Sequence, residues 1–525
     1  MQGKKDYQEE LFINFQLSEF VPEENLYRRL KGILNLDYLY AKTAPYYGTC
    51  GQKSIDPVVF FKLSLVGFLE NIISDRHLVN HCSMRLDIRY FLNYTLTDRM
   101  PWHSTMSRTR ELLPEALFKE VFEDILRQCI NSGLVSGHTQ VVDSAPVKAN
   151  ASMDSLELKV PAEELDDHLA RIRYQSAPDR EKHAPKRKAK QNKASEEQQT
   201  ITATDRELKE ISARNKNWQK TQDQRPGAQR EGSKYTSNKT HYSPTDPDAR
   251  ISVKPGKARK LNYLSQLGVD PANHIITHIG ADYADKHDSR CLPDIVEELQ
   301  TRLNKMGLLF TTLLADTGYS SGENYALLEQ KGIEAFIPPH GTYKGGPEGF
   351  IYQQEGDYWV CRNNQKVTYR KTFIEKKGDN KKKLYLTKPS QCKGCPFKSE
   401  CIGNSPERRI TITAYTEEYA RTQARLQTPR GRRSKALRQS VVEPVFGILT
   451  QFMGMRKVYT KGIKNANKQM LMAAAAYNLK KLLKYAKTPP KSVAQCMKAG
   501  NPLALLKSAL GRLFLGPRAA PKFCF

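Results

Sequence analysis

The chain has 525 residues and a formal net charge of +27 at neutral pH. Its length predicts several domains, and its apolar fraction suits a soluble protein with hydrophobic cores. So large a basic excess favours a polyanionic partner, and nucleic acid is favoured over a membrane because no long basic amphipathic helix is evident. With no apolar signal region at the start and no bilayer-length apolar run, we expect a cytoplasmic protein that does not bind membranes.

Residues 10–133 predict an all-α N-terminal domain. Asp56 before Pro57 marks one helix start, and a helix that begins at Pro114 is expected to end near Gly133. One interpretation is a helix-turn-helix-like DNA-binding module, and the other is an ordinary helical bundle with solvated arginines. The arginines that would contact DNA are Arg85, Arg89, Arg108 and Arg110.

Beyond residue 133 the sequence predicts an α/β core with two insertions and a basic tail. The core comprises residues 134–150, 243–340 and 426–486, the insertions residues 151–242 and 341–425, and the tail residues 487–525. Core elements follow the order strand, insertion, two strands, helix, strand, helix, strand. The first insertion is basic and poor in large apolar residues, so it is expected to be partly helical or disordered. Ser320 with Glu323 predicts a capping box.

Three acidic residues stand out because of what surrounds them. Asp143 and Asp316 each end an apolar strand and are followed by small or turn-forming residues, and Glu443 lies in an apolar helical stretch. Each alone is more often a turn residue or a residue on a polar helix face. Together they could hold two divalent metal ions for phosphoryl transfer. A second polar cluster is interpreted as loop and helix-cap residues: Asp282, Asp285, His287 and Asp288.

Further phrases occur around these carboxylates in a fixed order: "SPTDPDAR", "HDS", "ADTGY", "VVEPVFG", "MRKVYTKG" and "AYNLKKLL". In this order the chain resembles the DDE transposases of bacterial insertion sequences over roughly residues 10 to 485. The resemblance implies a mixed sheet of the ribonuclease-H-like fold, flanked by helices. It also implies that Asp143, Asp316 and Glu443 are catalytic and hold Mg²⁺ or Mn²⁺.

The resemblance implies DNA contacts as well. Arg438 and Arg456 are expected to bind phosphates, for which a guanidinium is well shaped. Thr450 departs from the family, because many relatives carry Lys there, and Lys457 could substitute. The implied protein assembles as a homo-oligomer on double-stranded DNA and is nucleoid-associated. It would bind inverted terminal repeats, cleave the DNA ends and join the 3′-hydroxyls to target DNA.

Two other functions fit the same sequence. One is a catalytically degenerate, sequence-specific DNA-binding protein. The other is a ribonuclease-H-like DNA nuclease without strand transfer.

Cysteines are concentrated in the second insertion. Cys392, Cys395 and Cys401 fall in "CKGCPFKSEC", and Cys361 lies upstream. A Cys-x-x-Cys pair with two further cysteines can build a tetrahedral zinc site. The alternative is a small β-rich insertion in which reduced cysteines only pack. Both interpretations are open at this point.

Overall fold

The computed structural model describes residues 15–48, 50, 54–158, 238, 241–252, 259–341, 346–375 and 380–486. Most of the first insertion and the whole basic tail lie outside the described residues, so the predictions made for those two segments do too. Among the described helices, none is both long and apolar enough to cross a membrane.

The N-terminal part is helical, as predicted. Its helices are α1 (Leu17–Phe20), α2 (Leu26–Ile33), α3 (Tyr38–Thr43), α4 (Pro57–Leu69), α5 (Asp75–Ser83), α6 (Leu86–Leu92), α7 (His103–Leu112) and α8 (Glu115–Asn131). The start of α4 follows from its cap, because the Asp56 carboxylate accepts hydrogen bonds from the N–H groups of Val58 and Val59 at 2.7 and 3.1 Å. Most side chains of α4 are buried, so it forms the centre of this helical layer.

A mixed sheet forms the middle of the molecule. Its strands are β1 (Thr139–Lys148), β4 (Arg250–Ser252), β5 (Lys260–Asp270), β6 (Ile275–Tyr283), β7 (Thr312–Leu314) and β8 (Glu334–Phe336), and a separate pair is formed by β2 (Glu157–Leu158) and β3 (His241–Tyr242). β1, β7 and β8 are parallel neighbours, whereas β5 is antiparallel to β1, β4 and β6. The predicted order of strands and helices is therefore observed.

Helices cover both faces of this sheet. They are α9 (Asp288–Lys305), α10 (Gly322–Gln330), α14 (Pro429–Phe452) and α15 (Ile463–Ala486). α9 and α10 pack with β7 and β8 in one hydrophobic cluster, while α15 joins the N-terminal helices and the other face in a larger one. The capping box predicted from Ser320 and Glu323 is wrong, because the N-cap of α10 is Ser321, whose side chain accepts from the Asn324 N–H.

Two of the family-like phrases hold α15 in place. In "AYNLKKLL", the buried Asn478 side chain accepts from the Ile276 N–H and donates to the Ile276 carbonyl, at 3.0 and 2.8 Å. In "SPTDPDAR", Asp246 accepts from the Gly462 N–H at 3.0 Å and from the Tyr263 hydroxyl at 2.6 Å. Buried polar groups need such partners, so both phrases stabilise the packing of α15 on the sheet.

The second insertion forms an antiparallel five-stranded sheet. Its strands are β9 (Phe350–Gln353), β10 (Tyr358–Cys361), β11 (Lys366–Ile374), β12 (Lys381–Leu386) and β13 (Arg409–Thr413), with short helices α11 (Pro389–Cys392) and α12 (Lys398–Cys401) between β12 and β13. Its own core is small and consists of Trp359, Val367, Tyr385 and Ile410. Helix α13 (Thr416–Gln427) connects this sheet to α14.

Candidate functional site

Asp143 lies on β1, and Asp316 lies just beyond the end of the neighbouring parallel strand β7. Val141 of β1 pairs with Leu314 of β7. Asp143 comes two residues after Val141, and Asp316 comes two residues after Leu314. Because side chains alternate along a strand with a period of two, both carboxylates continue on the face of that pair. The sequence predicted that β1 ends at Asp143, which is wrong, because β1 continues along β5 to Lys148. Only β7 stops, and the sheet opens beside the two carboxylates.

A third carboxylate, that of Asp288, reaches the same place. It belongs to the first residue of α9, so the loop and helix-cap interpretation describes its position but not its surroundings. A Cβ atom added to Gly318 would lie 3.0 Å from Asp288 Oδ2 and 3.0 Å from Asp316 Oδ1. The two carboxylates are therefore no further apart than twice that distance. A helix N-terminus also favours negative charge at Asp288.

Two polar side chains that the sequence did not single out lie beneath these carboxylates. Gln266 on β5 donates to Asp288 Oδ1 at 3.4 Å and accepts from the hydroxyl of the buried Tyr319 at 2.6 Å. Burial, Asp288 and Asp143 together raise the pKa of Tyr319 far above its usual value, so the phenol stays protonated and donates. The phrase "ADTGY" contained the signal for Tyr319, but nothing local marks Gln266.

Burial shifts the ionisation of Asp143. Its pKa is raised to about 6, first because burial disfavours the charged form and further because Asp316 and Asp288 repel that charge. The Ser144 N–H and Arg438 act in the opposite direction, and Arg438 Nη1 donates to Asp143 Oδ2 at 2.8 Å. The three carboxylates therefore concentrate negative charge at one place, and Arg438 neutralises only part of it.

Glu443 lies on the exposed side of α14. The buried side of that helix carries Val441, Val442, Val445 and Leu449. At about 100° per residue, Glu443 is rotated by roughly 140° from Arg438 and displaced about 8 Å along the helix axis. The side of α14 that meets Asp143 is thus that of Arg438. The predicted trio of Asp143, Asp316 and Glu443 is not drawn together in this structure.

The chemistry of the carboxylate group suits a hard cation. Oxygen ligands are those that Mg²⁺ and Mn²⁺ prefer, and the raised pKa of Asp143 means that a bound cation would relieve repulsion. Over the described part of the chain, no three His, Cys, Asp or Glu side chains are already arranged to hold a metal ion. Metal binding would therefore require side-chain rotation at Asp143, Asp316 and Asp288.

The first half of α14 presents positive charge. Arg432, Arg433 and Lys435 are exposed and precede Arg438 along the same helix. Arg430 is also exposed, although it pairs with Glu334 at 2.8 Å. The run "RGRRSK" in the sequence could have predicted this surface. It places cationic side chains on the helix that contacts Asp143.

The predicted phosphate contacts beyond Glu443 lie beside β1, the strand that carries Asp143. Arg456 is exposed and Lys457 half-buried, and the segment that carries them returns to β1, where Lys148 forms a bridge with Lys457. That bridge lies roughly 16 Å along the strand from Asp143. Thr450, by contrast, donates its hydroxyl to the Phe446 carbonyl within the helix.

The four N-terminal arginines have different surroundings. Arg89 is 5% exposed and donates to the carbonyls of Ser83, Thr95, Leu96 and Asp98, so its prediction as a DNA contact is corrected: the guanidinium holds a loop together. The other three arginines differ in their freedom to meet DNA. Arg85 pairs with Asp87, Arg110 pairs with Asp75, each at 2.7 Å, and Arg108 is exposed.

Two family models match the chain. A family described as a transposase DDE domain matches residues 360–483, and a family described as a transposase domain matches residues 15–112. The chain is related to the DDE transposases of insertion sequences. The part of this chain that matches the transposase DDE domain includes Arg438 and Glu443 but begins beyond Asp316.

A similar solved structure is also a transposase, described as a piggyBac transposase synaptic complex with hairpin DNA. It is 10% identical, and the alignment covers 95% of this chain and 86% of that chain with a TM-score of 0.23. A similarity that low supports no argument about this molecule. No curated protein matches the chain.

Proposed function

We propose that the chain is a transposase that binds the inverted terminal repeats of a mobile element, cleaves the DNA ends and joins the 3′-hydroxyls to target DNA. One observation carries the proposal: Asp143 and Asp316 meet where the sheet opens, in a chain that matches two transposase families. Cleavage and joining are both in-line attacks on phosphorus, so one carboxylate site serves both steps.

The strand arrangement supports a ribonuclease-H-like core. The order β6-β5-β1-β7-β8, in which only β5 is antiparallel to its neighbours, follows from the pairing of these five strands. In this arrangement the central strand β1 carries the first carboxylate and the adjacent β7 leads to the second. The sheet therefore positions Asp143 directly, and the end of β7 positions the turn that begins at Asp316.

We assign Asp143 and Asp316 the role of holding two Mg²⁺ or Mn²⁺ ions. Such ions, when bound, activate the attacking hydroxyl and stabilise the leaving oxygen. Asp143 must be ionised for this role, and Arg438 favours its ionised form. Arg438 can also turn towards a phosphate of the bound strand, since a guanidinium offers several donors.

Two residues compete for the place of the third carboxylate. Glu443 is supported by the resemblance and by its position inside the DDE-domain match. Asp288 is supported by its closeness to Asp316 and by its effect on the pKa of Asp143. We propose that Asp288 belongs to the site in the DNA-free protein, and that Glu443 joins it when α14 adjusts to bound DNA, near Pro444 in the helix interior.

DNA would lie along the basic side of α14. Arg432, Arg433 and Lys435 would contact phosphates there, and Arg456 and Lys457 would continue the path along β1. The N-terminal helices, through Arg108, would read the terminal repeats. Pairing of two element ends would require a homo-oligomer on DNA, and binding to that DNA would put the protein at the nucleoid in a bacterial cytoplasm.

A DNA assay tests the proposal. The purified chain is incubated with labelled terminal-repeat DNA, a target plasmid and Mg²⁺, and cleaved and joined products are measured. We expect joined product from the wild type, and Asp316→Ala should bind the ends but cleave them at least 1,000-fold more slowly, the scale of loss expected when one essential metal ligand is removed. Nicks without joining would favour the nuclease, and end binding without cleavage the degenerate DNA-binding protein.

A further inference from the structure

The four cysteines of the second insertion come together in space. Cys361 ends β10, Cys392 ends α11, Cys395 follows the next turn and Cys401 ends α12. Cys361, Cys395 and Cys401 line one cavity of about 130 Å³. Cys392 contacts the Thr387 hydroxyl through its Sγ at 3.2 Å, and after burial, Cys392, Cys361 and Cys395 are near enough to help raise the pKa of Cys401. The distant Cys361 thus joins three cysteines that are close in sequence.

The local backbone suits metal ligation. Gly394 has a φ of +79°, and this left-handed conformation turns the chain tightly between Cys392 and Cys395. Such a turn allows both thiols of a Cys-x-x-Cys pair to approach one ion. Within the described residues no three of these thiols are already arranged around a metal position, so binding requires their side chains to rotate towards a common centre. All four cysteines are free and half-buried, which permits that rotation.

Simple packing does not account for these cysteines. The hydrophobic cluster of this sheet contains Trp359, Val367, Tyr385 and Ile410, and none of the four cysteines belongs to it. A unit with so few buried apolar residues commonly depends on a metal ion or cross-link for its stability. The cysteines are gathered beside the small core rather than within it.

A cation is already placed to neutralise thiolates. Arg408 lines the same cavity, its Nη1 donates to the Cys401 carbonyl at 2.7 Å, and its guanidinium lies 5.1 Å from the Phe350 ring centre. Within the described residues its buried Nε has no hydrogen-bond partner. Four thiolates around a divalent ion leave a net negative charge, which a neighbouring guanidinium stabilises and to which Nε can donate.

We infer that Cys361, Cys392, Cys395 and Cys401 bind one structural zinc ion. The ion joins the end of β10 to α11 and α12 and so fixes the sheet from which α13 leads to α14. The thiols lose their protons to solvent on binding, and no redox change occurs. The site closes when zinc binds, because metal binding of this kind is coupled to local folding.

Metal analysis of the full chain tests this inference. The chain, purified without added metal, should contain about one zinc per molecule by plasma mass spectrometry, as expected for one closed four-ligand site. Cys392→Ser with Cys395→Ser should remove that zinc, whereas Cys50→Ser, at an exposed cysteine outside the cluster, should keep it. A zinc-free wild type, or a double variant that keeps its zinc, would overturn the inference.

Two further measurements guard against misfolding of the double variant. Co²⁺ exchanged into the wild type should give the intense thiolate-to-metal absorption of a tetrahedral sulfur site. Strong chelation of the wild type should expose four additional reactive thiols, and zinc should protect them again. A Co²⁺ spectrum without thiolate bands, or a disulfide among these cysteines in the reduced protein, contradicts the assignment. Neither measurement depends on DNA cleavage.

Discussion

Arg438 donates a hydrogen bond from Nη1 to Oδ2 of Asp143 at 2.8 Å, across 295 positions of sequence. The contact joins α14 to the central strand of the sheet. Both side chains are about one-fifth exposed, so solvent screens the pair only in part. Arg438 favours the ionised carboxylate that the proposed metal site needs, and it lies on the helix whose exposed arginines would meet DNA.

The first prediction concerns stability and pH. The pKa of Asp143 is raised to about 6 in the folded chain, from a reference value of 3.8. Its contribution to stability is therefore full below that reference value and is lost as the pH rises through about 6. Asp143→Asn avoids this loss, so at pH 8 without divalent ions the variant should be more stable by about 2 kcal/mol. Thermal unfolding at pH 5 and pH 8 checks this, and the difference should shrink at pH 5.

The same variant tests the metal site. Adding Mg²⁺ at pH 8 should raise the unfolding temperature of the wild type, because an ion that binds the folded state stabilises it. Asp143→Asn should respond less. Equal shifts for both proteins would place Mg²⁺ binding away from Asp143.

The second prediction concerns the acid limb of activity. Arg438 lowers the pKa of Asp143, so Arg438→Gln should raise it. DNA-end cleavage measured against pH should then lose activity at a higher pH than in the wild type. The control is Arg433→Gln on the exposed side of α14, which should weaken DNA binding without moving the pH profile. Identical profiles for Arg438→Gln and the wild type would mean that the ion pair does not control this ionisation.

The third prediction separates the two candidates for the third carboxylate. If both serve the site, Asp288→Asn and Glu443→Gln should each reduce cleavage by about 100-fold or more while end binding persists. Without DNA, only Asp288→Asn should lower the pKa of Asp143, because Asp288 alone of the two raises it. Full activity of Asp288→Asn would mean that Asp288 is only a carboxylate at a helix N-terminus and not part of the catalytic site.

The fourth prediction compares two arginines of the N-terminal helices. Arg89→Ala should destabilise the chain by about 3 kcal/mol, because it removes a buried guanidinium and the hydrogen bonds that it donates to loop carbonyls. Arg108→Ala, at an exposed site, should leave stability within about 0.5 kcal/mol but weaken binding to terminal-repeat DNA. Denaturation and DNA-binding titrations of both variants give the comparison. Weakened DNA binding by a fully stable Arg89→Ala would contradict the structural role.

Much of the order of elements could be predicted from sequence because it depends on local patterns. Asp56 beside Pro57 marks a helix start wherever that helix packs, and apolar runs of strand length mark β5 and β6. The predictions from sequence were wrong where contact with a neighbouring segment sets the end of a strand or the burial of a side chain. β1 continues past Asp143 because β5 pairs with it as far as Lys148. Arg89 is buried because a loop from Thr95 to Asp98 folds over it.

By itself the sequence determined the basic charge, the helical N-terminal part, the alternation of strands and helices, and the two aspartates that follow runs of apolar residues. These follow from composition and from periodicity over a few residues. Only the tertiary structure decided that Asp288 joins Asp143 and Asp316, that Arg438 faces them while Glu443 faces outward, and that Cys361 meets the later cysteines. Such meetings depend on strand register and helix rotation, which packing between distant segments sets.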